Sequence, residues 1–404
     1  MSPTTPARRV PLSVLDLAIV AEGTTGQDAI RESLDLAVLA DTLGYRRFWF
    51  AEHHLAPGVA SASPAVLAAL AADRTRRIKV GSGAVLLSTT SPLVAAEQFG
   101  AIAALHPGRV DLGLGRSFTP PPTTTADAPA PVLPVRRDPQ PARDVDGLHV
   151  PASPPVDRND SALRERFLSH VRVIGAQRTA GDFRSELELV LGLRAGTFHD
   201  VDGQHHPSPP VQGADLDLWV LASSGGESAR VAGELGLPLA ANYHVSPSTA
   251  LETVASYREA FRPGVLAEPY VVVSADVLVA ETDARAAELA DGFVEWVLSI
   301  RAGGGAAAYP APGTTTPWDQ RPDAQRDLVR DRVDTRFVGS PATVVARLEA
   351  LQRVTGADEL LVTTEAFAPA DRERSFTLLA QAWGADAGAD VPVATDAREP
   401  VAAR

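Results

Sequence analysis

Short apolar, β-branched runs alternate along the chain with longer segments in which apolar residues recur every three or four positions. About eight such units can be counted. Strands of this kind followed by amphipathic helices are the pattern of repeated βα units around a parallel sheet. The strands read as Leu12–Leu17, Arg47–Ala51, Ile78–Leu87, Val110–Leu114, Asp217–Ala222, Leu239–Asn242, Tyr270–Val279 and Glu359–Thr363. The first helix is expected from about Asp28 to Leu43, with Ile30, Leu34, Ala37, Val38 and Ala40 on its apolar face and Gly44 ending it. Ser63-Pro64 opens the second helix as cap and first-turn proline, and a third is expected from Pro92 to Leu105. Further helices are expected near Glu165–Ala176, Phe183–Leu193, Pro341–Val354 and Ala370–Trp383. The fold class is α/β, a (β/α)8 TIM barrel.

Two stretches break the alternation. Residues from about 118 to 160, with Pro120-Pro121-Pro122 and Thr123-Thr124-Thr125, and residues 303–332 read as irregular insertions after strands four and seven. In such a barrel those loops lie at the catalytic mouth. Residues 1–10 and 384–404 read as disordered tails around a barrel at 11–383. The basic N-terminus before the apolar Pro11–Ala21 run also admits a secretory signal, but Asp16 interrupts the run, and a short tail entering a buried strand is the plainer reading. The expected location is cytoplasmic.

Composition narrows the function classes. With 45% hydrophobic and 22% charged residues over 404, the chain can bury a sizeable core. A formal charge of −13, without a lysine/arginine cluster, argues against a nucleic-acid partner. No apolar run approaches the ~18 residues of a membrane span. The absence of cysteine excludes disulfides, thiolate nucleophiles and cysteine-based metal sites.

Functional residues of a barrel project from the C-terminal ends of its strands, and four places there carry chemistry. Glu52-His53-His54 follows strand two; a histidine pair can move protons near neutral pH or ligate a metal. The i, i+1 spacing is poor for a metal, since neighbours in a strand face opposite sides, and simple packing of one histidine is the rival reading. Gly81-Ser82-Gly83-Ala84 in strand three marks a bulge, a close approach by ligand, or tight packing on a helix. Arg116, after Gly113-Leu114-Gly115, is a fixed cation suited to a phosphate or a surface ion pair. Ser223-Ser224-Gly225-Gly226-Glu227-Ser228 after strand five is a turn into a helix, whose free N–H groups would suit an anion or need only an ordinary cap.

Taken in order, Ala51-Glu52-His53-His54, Gly81-Ser82-Gly83-Ala84, Ala96-Glu97-Gln98-Phe99, His106-Pro107-Gly108-Arg109-Val110-Asp111-Leu112-Gly113-Leu114-Gly115-Arg116, Ala222–Ala229 with Gly236-Leu237-Pro238, Val338-Gly339-Ser340-Pro341 and Gly356–Thr364 resemble the luciferase-like monooxygenase family. The similarity covers strands one to five and the last βα unit. It implies a barrel that binds reduced FMN, or in some relatives a deazaflavin coenzyme, and uses molecular oxygen, through a flavin hydroperoxide, on a small organic substrate. A separate flavin reductase and a homodimer are further implications.

On that resemblance Arg116, Ser223, Ser224, Gly225, Gly226 and Ser228 would hold the phosphate. Gly83 and Ala84 would underlie the ring, with a cis peptide allowed for at that step. His53 would be the catalytic acid or base, supported by Glu52 and His54; no metal is implied. A hydride-transferring deazaflavin enzyme and a non-catalytic flavin-binding protein are the alternatives. The Pro/Thr-rich insertion after Ser117-Phe118 departs from the family, where an ordered loop and helix usually follow, and leaves the form of the substrate lid open.

Overall fold

The computed structural model describes residues 8–116, 140–155, 182–302 and 305–384, with helical positions at 165, 169 and 172–174. Its strands are β1 (Leu12–Asp16), β2 (Arg47–Phe50), β3 (Lys79–Ser82), β4 (Val85–Leu86), β5 (Val110–Gly115), β6 (Arg143–Val145), β7 (Leu148–Val150), β8 (Leu216–Ala222), β9 (Leu239–Asn242), β10 (Val271–Val279), β11 (Phe337–Gly339) and β12 (Glu359–Thr363). The helices are α1 (Gly26–Leu43), α2 (Pro64–Arg74), α3 (Pro92–Leu105), α4 (Phe183–Ala195), α5 (Glu227–Glu234), α6 (Ala250–Ala260), α7 (Asp283–Leu289), α8 (Phe293–Arg301), α9 (Asp323–Asp334), α10 (Pro341–Thr355) and α11 (Pro369–Trp383).

Parallel pairing runs β1-β2-β3-β5-β8-β9-β10-β12 and returns to β1, so eight strands close a barrel and leave no edge. Because helices cover the outside and side chains fill the inside, these strands are buried on both faces; all nine residues of β10 are. Helix α1 starts at the expected place for a local reason. Thr25 accepts a hydrogen bond from the Asp28 N–H while the Asp28 carboxylate accepts from the Thr25 N–H, and Gly44 closes the helix at φ 84°. Its buried stripe is Ala29, Ser33, Leu34, Leu36, Ala37 and Ala40, whereas Val38, expected to face inward, is 39% exposed.

The floor of the barrel is polar. Arg47 lies fully buried between Asp111 (2.8 Å) and Glu359 (3.0 Å). The Asp111 carboxylate also accepts from the Trp49 and Trp219 indoles, and Glu359 from Tyr270 and Ser13. Each charge is thus met by an opposite charge and by hydrogen bonds, the condition under which a buried ion cluster is tolerated.

Three expectations are corrected. The run Ile78–Leu87 is not one strand: it splits into β3 and β4 around a cis peptide bond between Gly83 and Ala84. Gly81 serves packing on the neighbouring strand rather than on a helix, since a Cβ there would lie 2.3 Å from the Asp111 carbonyl oxygen. The two insertions are not wholly irregular. The first contains the hairpin β6–β7, turned by Asp146 and Gly147, both at positive φ, the two-residue Asp-Gly turn that matches strand twist. The second contains a 3-10 turn at Trp318–Gln320 and helix α9, held by a narrow apolar stripe on an otherwise charged helix. The rest of the first insertion, most of the helix expected at 165–176, residues 1–7 and residues 385–404 lie outside the described residues. At the N-terminus Arg9 pairs with Glu349 at 2.8 Å and the Val10 N–H donates to Gln352.

Helices α8 and α9 belong to the segment between β10 and β12. Phe293, Trp296 and Val329 join one buried cluster with Leu15, Trp49, Trp219, Val272 and Leu361 of the barrel interior and with Ile19, Ala51 and Val59 beyond strand ends. The segment therefore lies over the mouth.

Candidate active site

The chain leaves β2 in extended conformation, so successive side chains alternate. Glu52 and His54 point one way and His53 the other. Glu52 is 8% exposed and takes three donors: the Leu86 N–H at 3.0 Å, the Thr89 hydroxyl at 2.6 Å and His54 Nε2 at 2.8 Å. It ties the exit of β2 to the loop after β4 and fixes the segment that follows the cis step. Glu52 and His54 are consumed by each other and by this loop.

His53 makes no side-chain hydrogen bond among the described residues, while its N–H donates to the Ser61 carbonyl at 2.9 Å. Its ring is accessible, yet protein crowds it enough that burial, then the neighbouring His54, holds its pKa below the ordinary 6.5. The ring is therefore neutral at neutral pH. Among the described residues no three His, Asp or Glu side chains gather as a metal site would require.

Across the mouth, the turn after β8 leads into α5. Gly226 caps that helix with no side-chain hydrogen bond to its first N–H groups. Ser223, Ser224 and Gly226 are exposed, and Ser228 is half-buried. The turn is held from below: Thr249 donates to the Ser223 carbonyl at 2.6 Å, Asn242 to the Ser223 hydroxyl at 3.0 Å, and Ser256 to the Gly225 carbonyl at 3.0 Å. Gly225 admits no side chain, because a Cβ would meet the Glu252 carboxylate at 2.6 Å.

Arg116, one residue beyond β5, reaches this turn and pairs with Glu227, the first residue of α5. The structure thus brings Arg116 together with the turn, and a carboxylate already marks the place as one where an anion sits. Sequence reasoning had not singled out Glu227.

A second group at the mouth escaped sequence reasoning altogether. His244, two residues past β9, hydrogen-bonds Ser274 of β10 through Nδ1, and burial first and Arg332 second push its pKa down to about 3. Beside it Asp276 takes the Arg336 guanidinium at 2.7 Å, and Arg336 in turn lies 3.8 Å from the Phe293 ring centroid. Glu365, 1% exposed and accepting from the Thr363 hydroxyl at 2.9 Å, is pushed up to about 8 by burial and by Asp276. His244 was within reach of the rule that found His53, since it too stands at the C-terminal end of a barrel strand. The Asp276–Arg336–Glu365 group depends on contacts between β10, the end of α9 and the exit of β12, for which no local signal exists.

The family model described as luciferase-like monooxygenase matches residues 12–133 and 172–359. The chain is 36% identical to the uncharacterized protein YvbT of Bacillus subtilis and 32% identical to a luciferase-like monooxygenase of Escherichia coli K12, in each case over 92% of this chain and 96% of the relative. The crystal structure of apo-MsnO8 superposes with a TM-score of 0.69 at 31% identity, covering 94% of this chain and 99% of that one. Two further structures share the fold at lower identity: the FMN complex of the oxygenating constituent of 3,6-diketocamphane monooxygenase from Pseudomonas putida (TM-score 0.61, 21%), and the coenzyme F420 dependent tetrahydromethanopterin reductase of Methanopyrus kandleri (0.56, 16%). The chain belongs to the luciferase-like monooxygenase family.

Proposed function

We propose that the protein is a monooxygenase that uses reduced FMN and molecular oxygen to oxygenate a small organic substrate, the flavin being supplied by a separate reductase. The observation that carries this reading is the uncapped N-terminus of α5 with the Arg116 guanidinium beside it, at the mouth that His53 also lines. That donor set suits a phosphate: unsatisfied N–H groups, accessible hydroxyls and a cation, with no room at Gly225 for a competing side chain. Arg116, Ser223, Ser224, Gly225, Gly226 and Ser228 would hold the phosphate, displacing the Glu227 carboxylate from Arg116. The step at Gly83-Ala84 would support the ring. Reduced flavin supplies the two electrons that activate oxygen.

The chain's own part is to bind, orient and manage protons. His53, neutral at neutral pH and without a side-chain hydrogen bond among the described residues, can accept or donate one proton at the mouth; Glu52, through Leu86, Thr89 and His54, keeps the β2 exit in register with the β4 loop. Helices α8 and α9 exclude water from one side of the mouth, which an oxygen-activating site requires. A cytoplasmic homodimer is part of the same reading. Among the described residues no helix is long and apolar enough to cross a membrane.

Anaerobic titration with reduced FMN and, in parallel, with a reduced deazaflavin tests the proposal, comparing the wild type with Arg116→Ala. Binding of reduced FMN that weakens about tenfold in the variant, the worth of one charge-assisted phosphate contact, supports it. Preference for the deazaflavin moves the reading to hydride transfer, and binding of neither removes it.

A further inference from the structure

Buried guanidinium groups in this protein are met by carboxylates: Arg47 by Asp111 and Glu359, Arg301 by Asp331 at 2.6 Å, Arg336 by Asp276 at 2.7 Å and Arg372 by Asp16 at 2.8 Å. Arg332, in the last turn of α9, is the exception. It is 7% exposed, yet among the described residues no carboxylate lies within 4 Å of it and its Nε has no hydrogen-bond partner. Its contact is the Phe293 ring, 5.7 Å from the guanidinium carbon. Burial pushes its pKa below the ordinary value, and the more distant carboxylates of Asp276, Glu365 and Asp331 offset this only in part. A charge buried without a partner is strongly unfavourable, so the position calls for an occupant.

The charges around it leave one positive charge over. Asp331 is closed on Arg301, and Asp276 on Arg336. Glu365 lies 3.9 Å from Arg336, but burial and the second carboxylate of Asp276 outweigh that cation and keep it protonated at neutral pH; His244 is neutral. Arg332 faces the mouth through the Phe293 ring, which belongs to the cluster over the mouth and also carries Arg336, and its charge lowers the pKa of His244 at the end of β9. With His244 Nδ1 engaged by Ser274, Nε2 remains as the ring's second polar atom. This side of the mouth belongs to β9, β10 and β12, whereas Arg116 follows β5 and the turn it reaches follows β8.

We infer that Arg332 seats a carboxylate carried by the organic substrate, with the His244 imidazole as its neighbour and the Phe293 ring as an apolar wall. The inference rests on the proposed reading of the mouth as a flavin site and names the substrate class that site accepts. An acid held here would present the remainder of its skeleton toward His53.

The test uses the purified full chain and two matched probe pairs, benzoate with benzamide and octanoate with octanamide, followed by tryptophan fluorescence with and without reduced FMN. The wild type should prefer the anion of a pair by about tenfold, as expected for one charge-assisted contact. Arg332→Gln should bring the two members within about threefold, and Arg332→Lys should restore part of the preference. Because Arg332→Gln deletes an unpaired buried charge, its thermal midpoint should equal or exceed that of the wild type, whereas loss of a structural arginine would lower it. Absence of anion preference in the wild type, or a lower midpoint in the variant, overturns the inference. So does loss of reduced FMN binding in Arg332→Gln, which would assign Arg332 to the cofactor. Failure of the wild type to bind any flavin removes the cofactor reading, while the probe preference is still measured without flavin.

Discussion

Replacing Glu365 by glutamine should stabilise the protein increasingly as pH rises. Glu365 is 1% exposed, and burial first and Asp276 second move its carboxyl from the ordinary 4.5 to about 8. A folded-state pKa above the unfolded one means that the native protein holds a proton the unfolded chain has released. The stability contributed is complete below pH 4.5 and is lost as pH rises toward 8. Each pH unit in that interval is worth about 1.4 kcal/mol, so the wild type should give up about 3 kcal/mol between pH 4.5 and 7 and more by pH 8. Glutamine cannot ionise, keeps the oxygen that accepts from Thr363 and offers Asp276 an N–H where the protonated acid offered an O–H. Urea midpoints at pH 5, 7 and 8.5 read the difference directly. The advantage of the variant should widen by about 4 kcal/mol across that range. A difference independent of pH would mean that Glu365 is ionised throughout, which would also cancel the surplus positive charge assigned to Arg332.

Arg47→Leu removes the cation shared by Asp111 and Glu359 at the floor of the barrel, and should cost about 3–5 kcal/mol or prevent soluble expression, read by chemical denaturation. Gly81→Ala places a Cβ 2.3 Å from the Asp111 carbonyl oxygen and must push β5 from β3, so circular dichroism should show a lower thermal midpoint; an unchanged midpoint would refute the close approach. If His53 accepts a proton in the reaction, the acid limb of kcat/KM should fall below pH 6.5, because the neutral imidazole persists to lower pH than in water, and His53→Gln should abolish that limb. An acid limb above 6.5 would contradict the crowding of the ring.

The barrel strands were legible because parallel strands buried on both faces leave mostly apolar runs, as in β10, where Val271–Val273 and Val277–Val279 flank Ser274 and Asp276. The barrel's break between β3 and β4 was partly legible in Gly81 and Gly83, but which glycine serves packing and which a change of chain direction depends on β5, far away in sequence. The hairpin at Arg143–Val150 was readable and missed: Asp146-Gly147 between short runs is a strong turn signal, masked by the proline-rich residues before it. Helix α9 was harder. Its sequence, Asp323–Asp334, is so charged that only Leu328, Val329 and Val333 mark a face, and tertiary burial of that face decides the outcome.

The two sides of the mouth differ in legibility for a physical reason. Arg116, His53 and the Ser223–Ser228 turn stand in short segments right after strands, where position alone marks a residue as facing the mouth. Arg332 cannot be found that way. Nothing in Asp331-Arg332-Val333 separates it from Arg330, which is half exposed and near Asp327, or from Arg336, which finds Asp276. Whether a buried arginine is left without a carboxylate depends on every acidic residue the fold brings within reach, and here on whether Glu365 carries a proton. A cation left unpaired by the carboxylates of the described residues can be satisfied by a group from outside the chain. For that reason the substrate's charge is written in the closed structure rather than in any motif.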